Sequence, residues 1–103
     1  MPRFERYTVD ERATVLAVEG ELDIGSADAL RTALDAAAAE GTEIVRLDAG
    51  GVHFLDSSAL GVILAAGQKL AARGGRLELA NTTPAVKRIL EMTLITRTIH
   101  VIP

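Results

Sequence analysis

The sequence has no cysteine and no tryptophan, and aromatic residues make up only 3% of its 103 residues. Without cysteine, the chain can form neither a disulfide framework nor a thiolate nucleophile, as is typical of proteins in the reducing cytoplasm. With so few aromatic side chains, the hydrophobic core must be built from Ala, Val, Leu and Ile. A chain of this length buries about two-thirds of its unfolded surface, so we expect one domain over residues 1–103.

Positive charge is also scarce, with 11 Lys and Arg residues against 14 Asp and Glu residues. Nucleic-acid binding needs a concentrated basic face, so this balance disfavours a direct contact with nucleic acid. The longest apolar run, residues 59–67, is about half of what a membrane helix needs. Residues 1–6 lack the apolar stretch of a signal peptide. We therefore expect a cytoplasmic protein that does not enter the membrane.

Residues that carry enzyme chemistry are few. The only histidines are His53 and His100, which with the lack of cysteine disfavours a metal site of the Cys/His type. No Gly-x-x-x-x-Gly-Lys-[Ser/Thr] phosphate loop occurs. A hydrolytic triad would need His53 beside Ser57, with Asp48 or Asp56 orienting the imidazole. Because His53 lies in an apolar segment, a partly buried histidine is the favoured interpretation. The sequence therefore predicts no catalytic residue, no metal and no cofactor.

Hydrophobic periodicity predicts an α/β fold. Short β-prone runs alternate with segments whose apolar residues recur at helical spacing. The order strand, strand, helix, strand, helix, strand, helix, strand implies a mainly parallel sheet of four to five strands with helical crossovers. An opening hairpin makes that sheet mixed. The predicted strands are residues 4–9, 14–19, 43–48, 76–80 and 98–102.

Polar residues and glycines predict where the helices begin and end. Ser26, then Asp56 or Ser57, then Thr83 are placed to cap the three helices in turn. Residues 20–25 are expected to interrupt the strand before the first helix, and residues 49–55 are expected to form a glycine-bearing loop. Two further glycines, Gly61 and Gly67, fall inside the second helix, where each costs about 1 kcal/mol relative to Ala. They indicate either close packing on the sheet or the close approach of another molecule.

Three carboxylates are predicted at strand or helix ends. Asp23 follows one strand, Asp48 closes another, and Asp56 precedes the second helix. Ligands bind beyond the carboxyl ends of the strands in open parallel sheets, so these acids are expected along one rim. Solvated acids are favoured over a divalent-cation site.

The tripeptide Asp56-Ser57-Ser58 allows two roles for one serine. If Ser57 only helps to cap the helix, Ser57→Ala costs about 1 kcal/mol. A phosphate at the same position would face the positive end of the helix dipole, so the fold would tolerate it. Its charge of about -1.5 to -2 would act instead on a molecule bound over that surface.

The order of four motifs resembles the STAS family, and within it the bacterial anti-sigma factor antagonists. The resemblance covers nearly the whole chain, and the Asp-Ser-Ser block with its following helix is its most specific part. The motifs are Gly20-Glu21-Leu22-Asp23, Val45-Arg46-Leu47-Asp48, Phe54-Leu55-Asp56-Ser57-Ser58-Ala59-Leu60-Gly61-Val62-Ile63-Leu64 and Thr83-Pro84-Ala85-Val86-Lys87-Arg88-Ile89-Leu90.

The resemblance implies a STAS-like domain that binds an anti-sigma factor which is also a serine kinase. That kinase would phosphorylate Ser57 and so block binding, and a PP2C-type phosphatase would restore it. Sigma-factor-dependent transcription would be regulated in this way. The partner-binding residues implied are Asp23, Asp56, Ser58, Ala59, Leu60 and Gly61.

Two departures and one alternative qualify that expectation. Family members usually have Gly where this chain has Ala59, so we expect the Ala59 methyl to crowd a partner's closest approach. Members usually continue into a further helix, so an end at Pro103 is expected to leave an apolar edge or to favour a homodimer. The alternative function is a STAS subunit that is not phosphorylated, in a lipid-transport ABC complex or a stress-signalling scaffold.

Overall fold

The computed structural model describes residues 1–93 and 99–102. Each predicted strand and helix is present there in the predicted order, although Thr98 and Pro103, at the end of the chain, lie outside the described residues. The elements are β1 (Arg3–Thr8), β2 (Ala13–Leu22), α1 (Ala27–Ala38), β3 (Ile44–Leu55), α2 (Ser57–Ala72), β4 (Arg76–Ala80), α3 (Pro84–Thr93) and β5 (His100–Ile102).

The five strands lie in the sheet in chain order, from β1 to β5. β1 runs antiparallel to β2, and the remaining neighbours are parallel. The turn between β1 and β2 is held by Asp10, whose carboxylate accepts hydrogen bonds from the amides of Arg12 at 2.7 Å and Ala13 at 3.0 Å. Asp side chains often stabilise turns in this way. The prediction of a mixed, mainly parallel α/β sheet is confirmed.

β2 and β3 extend further than the sequence indicated, and two predictions are wrong for this reason. Residues 20–22 continue β2, and residues 49–55 form the second half of β3 instead of a loop. The two strands stay paired through register shifts, up to Leu22 beside Leu55. Gly51 permits this approach, since a Cβ there would lie 2.7 Å from Glu19 Cγ. The extension brings the segments after Leu22 and Leu55 to the same end of the sheet.

One hydrophobic cluster joins the sheet to all three helices. Leu16, Leu47 and Leu79 are adjacent in the strand register and almost fully buried. Crossovers of one hand between successive parallel strands bring the helices over such a row. The buried helix residues that join the cluster are Ala27, Leu30, Leu34, Ala37, Ala59, Leu60, Val62, Ile63, Leu70, Val86 and Leu90.

Gly67 shows why α2 can lie close to the sheet. A Cβ at this position would lie 3.2 Å from Ile99 Cγ1 and 3.8 Å from the Leu77 side chain. Of the two explanations offered for the helical glycines, close packing on the sheet therefore applies to Gly67.

Arg46 of β3 and Arg76 and Glu78 of β4 form an ionic cluster in which only the glutamate is buried. Glu78 is 5% exposed, and its carboxylate accepts hydrogen bonds from Arg46 Nε and Arg76 Nε, both at 2.9 Å. Burial alone would raise the pKa of Glu78, but the hydrogen bonds from Arg76 and Arg46 outweigh it and hold the pKa below its ordinary value of 4.5.

Candidate functional site

Asp56 links the start of α2 to the turn after β2. One carboxylate oxygen, Oδ1, accepts a hydrogen bond from the amide of Ala59 at 3.1 Å and so caps the helix. The other, Oδ2, accepts from the amide of Ile24 at 3.1 Å. The amide of Asp56 itself donates to the carbonyl of Leu22 at 3.0 Å. The prediction that Asp56 or Ser57 caps α2 is confirmed, with Asp56 in that role.

Ser57 is the first residue of α2, and it is exposed. Within the part of the chain that the structure describes, its hydroxyl forms no hydrogen bond. The first turn of α2 contains no acidic residue. A hydroxyl at this place is therefore accessible and lies close to the positive end of the helix dipole.

The turn after β2 is fixed by a reciprocal pair of hydrogen bonds between Asp23 and Ser26. The amide of Asp23 donates to Ser26 Oγ at 3.0 Å, and the amide of Ser26 donates to Asp23 Oδ1 at 3.1 Å. Ser26 is 3% exposed and is the N-cap residue of α1, as predicted, but its side chain makes no capping hydrogen bond to the helix. The hydroxyl instead accepts from the amide of Asp23 and donates to the carbonyl of Glu21 at 3.2 Å. These hydrogen bonds stabilise the conformation of the turn.

Two large apolar side chains stand exposed beside this turn, and sequence reasoning did not single them out. Ile24 is 78% exposed and Phe54 is 48% exposed. Both are close to Asp56, because its carboxylate binds the Ile24 amide and Phe54 precedes it by two residues. The sequence did contain a signal for this exposed pair, since each is an apolar residue beside a polar motif.

The remaining residues that were expected to bind the partner differ in how far their side chains are exposed to solvent. Ser58 is half-buried and Gly61 is exposed, and a Cβ at Gly61 would have no neighbour within 4 Å. Ala59 is fully buried and Leu60 is 8% exposed, so both side chains belong to the core. The expectation that the Ala59 methyl crowds a partner is therefore wrong, because this methyl points into the protein. Ala59 contributes its amide, which Asp56 binds.

Asp48 does not join the other two acids, so the prediction of a rim of three carboxylates is wrong. Asp23 and Asp56 directly follow the ends of β2 and β3 at the same end of the sheet. Asp48 lies inside β3, because this strand is longer than predicted. The distance along the strand from Asp48 to Leu55 is on the order of 20 Å. Asp48 accepts hydrogen bonds from the amide of Gly50 at 3.0 Å and from Asn81 Nδ2 at 3.2 Å.

His53 is exposed, so the prediction of a partly buried histidine is also wrong. The neighbouring pairs Gly20 with Val52 and Glu21 with Phe54 leave it as the extra residue of a β-bulge. It lines an open depression of about 460 Å³ with Asp23 and Gly25, and no hydrogen bond joins it to Ser57 in the described part of the chain. The hydrolytic triad therefore gains no support. Nor do residues 1–93 and 99–102 contain a cluster of three or more metal-ligating side chains.

Known proteins resemble this chain in sequence and in fold. The STAS domain family model matches residues 6–103. The anti-sigma F factor antagonist of Paenibacillus polymyxa is 32% identical over 80 residues, covering 77% of this chain and 68% of that protein. That of Lysinibacillus sphaericus is 29% identical over 91 residues, covering 87% and 78%. The crystal structure of an anti-sigma factor antagonist from Mycobacterium paratuberculosis has a TM-score of 0.89 at 27% identity, covering 100% of this chain and 86% of that one.

The chain therefore belongs to the STAS domain family. Within that family, its curated relatives and the Mycobacterium structure are anti-sigma factor antagonists, which confirms the resemblance inferred from the four motifs. Among the described residues, no helix combines the length and apolar character needed to cross a membrane.

Proposed function

We propose that this protein is an anti-sigma factor antagonist that binds an anti-sigma factor serine kinase and is switched off by phosphorylation of Ser57. The observation that carries the proposal is that Asp56 and Ser57 have different roles at the start of α2. Asp56 caps the helix, which leaves the exposed Ser57 hydroxyl without a structural hydrogen bond in the described chain. A kinase can therefore modify Ser57 without removing a contact that the fold needs.

The fold is compatible with both states of such a switch. SpoIIAA, an anti-sigma factor antagonist, has been solved in its unphosphorylated form and, as a Bacillus cell fate determinant, in its phosphorylated form. This chain superposes on the two with TM-scores of 0.80 and 0.74, at 22% identity in each case. The same architecture therefore accommodates a phosphate, which supports regulation by a change at the surface rather than by unfolding.

The chemistry of the surface explains how one phosphate would release the partner. The Ser57 hydroxyl is neutral, and three further exposed residues, Ile24, Phe54 and Gly61, are uncharged. A phosphate would bring about -1.5 to -2 charges to this surface, next to the Asp56 carboxylate. Binding would then require desolvating the phosphate together with that carboxylate. A misplaced charge of this kind costs several kcal/mol, and about 4 kcal/mol lowers affinity about a thousandfold.

The direct test compares binding of the cognate anti-sigma factor kinase by wild type, Ser57→Ala and Ser57→Asp. We expect Ala at position 57 to preserve the affinity and Asp to lower it at least tenfold in calorimetry. Gln68→Asp is the matched control, since Gln68 is an exposed residue of the same helix about 16 Å further along its axis. Equal affinity of all four proteins would overturn the proposal.

A second experiment tests the covalent step and its reversal. Incubation with the kinase and ATP should add a single phosphate to wild type and none to Ser57→Ala, by mass spectrometry. A PP2C-type phosphatase should then remove it and restore binding. If the protein instead co-purifies with a transporter ATPase and Ser57 is never phosphorylated, the alternative of a non-phosphorylated STAS subunit would replace this one.

A further inference from the structure

The first strand forms one edge of the sheet, and its outer side is unpaired. Within residues 1–93 and 99–102, β1 pairs only with β2, along its whole length from Arg3 to Thr8. The strand at the opposite edge, β5, has only three residues. The free N–H and C=O groups of an edge strand are a template for a strand of another molecule. The β1 edge is therefore the longer of the two places where this sheet can be extended.

The side chains of β1 alternate between the two faces of the sheet. Phe4 lies on the helix side, where it is half-buried and packs against the core cluster. Arg3 and Glu5 therefore lie on the other face, and both are exposed. Arg3 makes one long ion pair with Glu19, at 3.8 Å, and Glu5 makes none with a described residue. Two opposite charges thus lie two residues apart on the exposed face of an edge strand.

Two-fold symmetry restricts how two copies of β1 can pair. Opposite residues of an antiparallel pair lie on the same face, so an axis perpendicular to the sheet must pass through a residue. An axis at Arg3, Glu5 or Arg6 places two like charges opposite each other, which is destabilising. An axis at Tyr7 brings no opposite charges together. An axis at Phe4 places Arg3 of each copy opposite Glu5 of the other and pairs the two Phe4 rings, and both kinds of pair are favourable.

We propose that two copies of this chain associate through β1 about a two-fold axis at Phe4. The two five-stranded sheets would then form one continuous sheet, with two Arg3–Glu5 pairs flanking the central Phe4 pair. About five residues of each chain take part, a contact much smaller than the roughly 1,600 Å² of a standard stable complex. We therefore expect dimers at about 1 mM protein and monomers at about 10 μM. The contact does not include Ser57, so it is independent of the proposed kinase switch.

Sedimentation equilibrium of charge-reversal variants tests the association. Arg3→Glu and Glu5→Arg should each raise the dissociation constant at least tenfold, because like charges then lie opposite each other. An equimolar mixture of the two should form a heterodimer, since each copy supplies the charge that the other lacks. Glu11→Arg, at an exposed residue of the turn between β1 and β2, changes the net charge as Glu5→Arg does and should dimerise like wild type. A wild type that is monomeric at about 1 mM, or a mixture that stays monomeric, would overturn the proposal.

Crosslinking through introduced cysteines tests the register. The chain has no cysteine, so each variant carries a single thiol. Oxidised glutathione should crosslink a mixture of Arg3→Cys and Glu5→Cys at least tenfold faster than either variant alone. Opposite residues lie about 5 Å apart, within reach of a disulfide, whereas the same position in the two copies is diagonal, at about 7–8 Å. Thr8→Cys, outside the paired segment, is the control and should crosslink slowly. The thermal midpoint of each variant confirms that it is folded. Crosslinking of Glu5→Cys alone as fast as the mixture would refute this register.

Discussion

The carboxylate of Asp56 accepts a hydrogen bond from the amide of Ile24 at 3.1 Å, and this bond joins the turn after β2 to the start of α2. The other carboxylate oxygen caps the helix at Ala59. One side chain therefore fixes the position of Ser57 relative to Ile24. The proposed partner surface is thereby preorganised, which lowers the ordering cost of binding.

Two substitutions of Asp56 should separate its two roles. Asp56→Ala removes both hydrogen bonds, and Asp56→Asn retains one acceptor oxygen but presents an amide donor to the other N–H group. We expect the free energy of unfolding to fall by about 2 kcal/mol for Ala and about 1 kcal/mol for Asn, measured by urea denaturation. Hydrogen exchange at Ile24 should accelerate in the Ala variant. Asp28→Ala, at an exposed carboxylate of α1, is the control; an equal loss there would contradict this role.

Ile24 should anchor the partner without stabilising the fold. Its side chain is 78% exposed, so Ile24→Asp should change the thermal midpoint little while lowering affinity for the cognate kinase at least tenfold. Val9 is the matched control, because it is 55% exposed and lies in the distant turn between β1 and β2. If Val9→Asp weakens binding as much as Ile24→Asp, the loss reflects general charge and the anchor is refuted.

The sequence could predict the fold because its strands and helices are locally encoded. The strand at residues 76–80 and the cap at Thr83, which accepts a hydrogen bond from the amide of Val86 at 3.3 Å, were both predicted correctly. Residues 49–55 were misassigned because their glycines are typical of loops, whereas here pairing with β2 determines their conformation. Such long-range pairing leaves no local signal.

The site was predictable in its motif but not in its contacts. Asp56 and Ser57 were placed correctly at the start of α2, but only the structure shows that Asp56 alone caps the helix. Consequently the cost of about 1 kcal/mol first assigned to Ser57→Ala belongs to Asp56. Burial of Ala59 was equally hidden, since it depends on which face of α2 meets the sheet.

The ion cluster of Glu78 should make stability depend on pH. Because the pKa of Glu78 is lower in the folded protein, its ionised form contributes stability above the unfolded pKa near 4.5, and this is lost as pH falls through the folded pKa. Glu78→Gln should therefore lower the thermal midpoint at pH 7, with the difference from wild type shrinking below about pH 4. Glu91→Gln, at an exposed residue of α3, is the control. A difference that stays constant with pH would contradict the assignment.

The two glycines inside α2 should respond oppositely to alanine. At Gly61 a methyl group meets no atom within 4 Å, so Gly61→Ala should raise the free energy of unfolding by about 1 kcal/mol through helix propensity. Because Gly61 is one turn from Ser57, the same methyl should weaken kinase binding. At Gly67 the added methyl would lie 3.2 Å from Ile99 Cγ1, so Gly67→Ala should gain less or lose stability. Urea denaturation and calorimetry measure both effects. A Gly61→Ala variant that is more stable and binds the kinase with unchanged affinity would show that the partner does not approach this turn of α2.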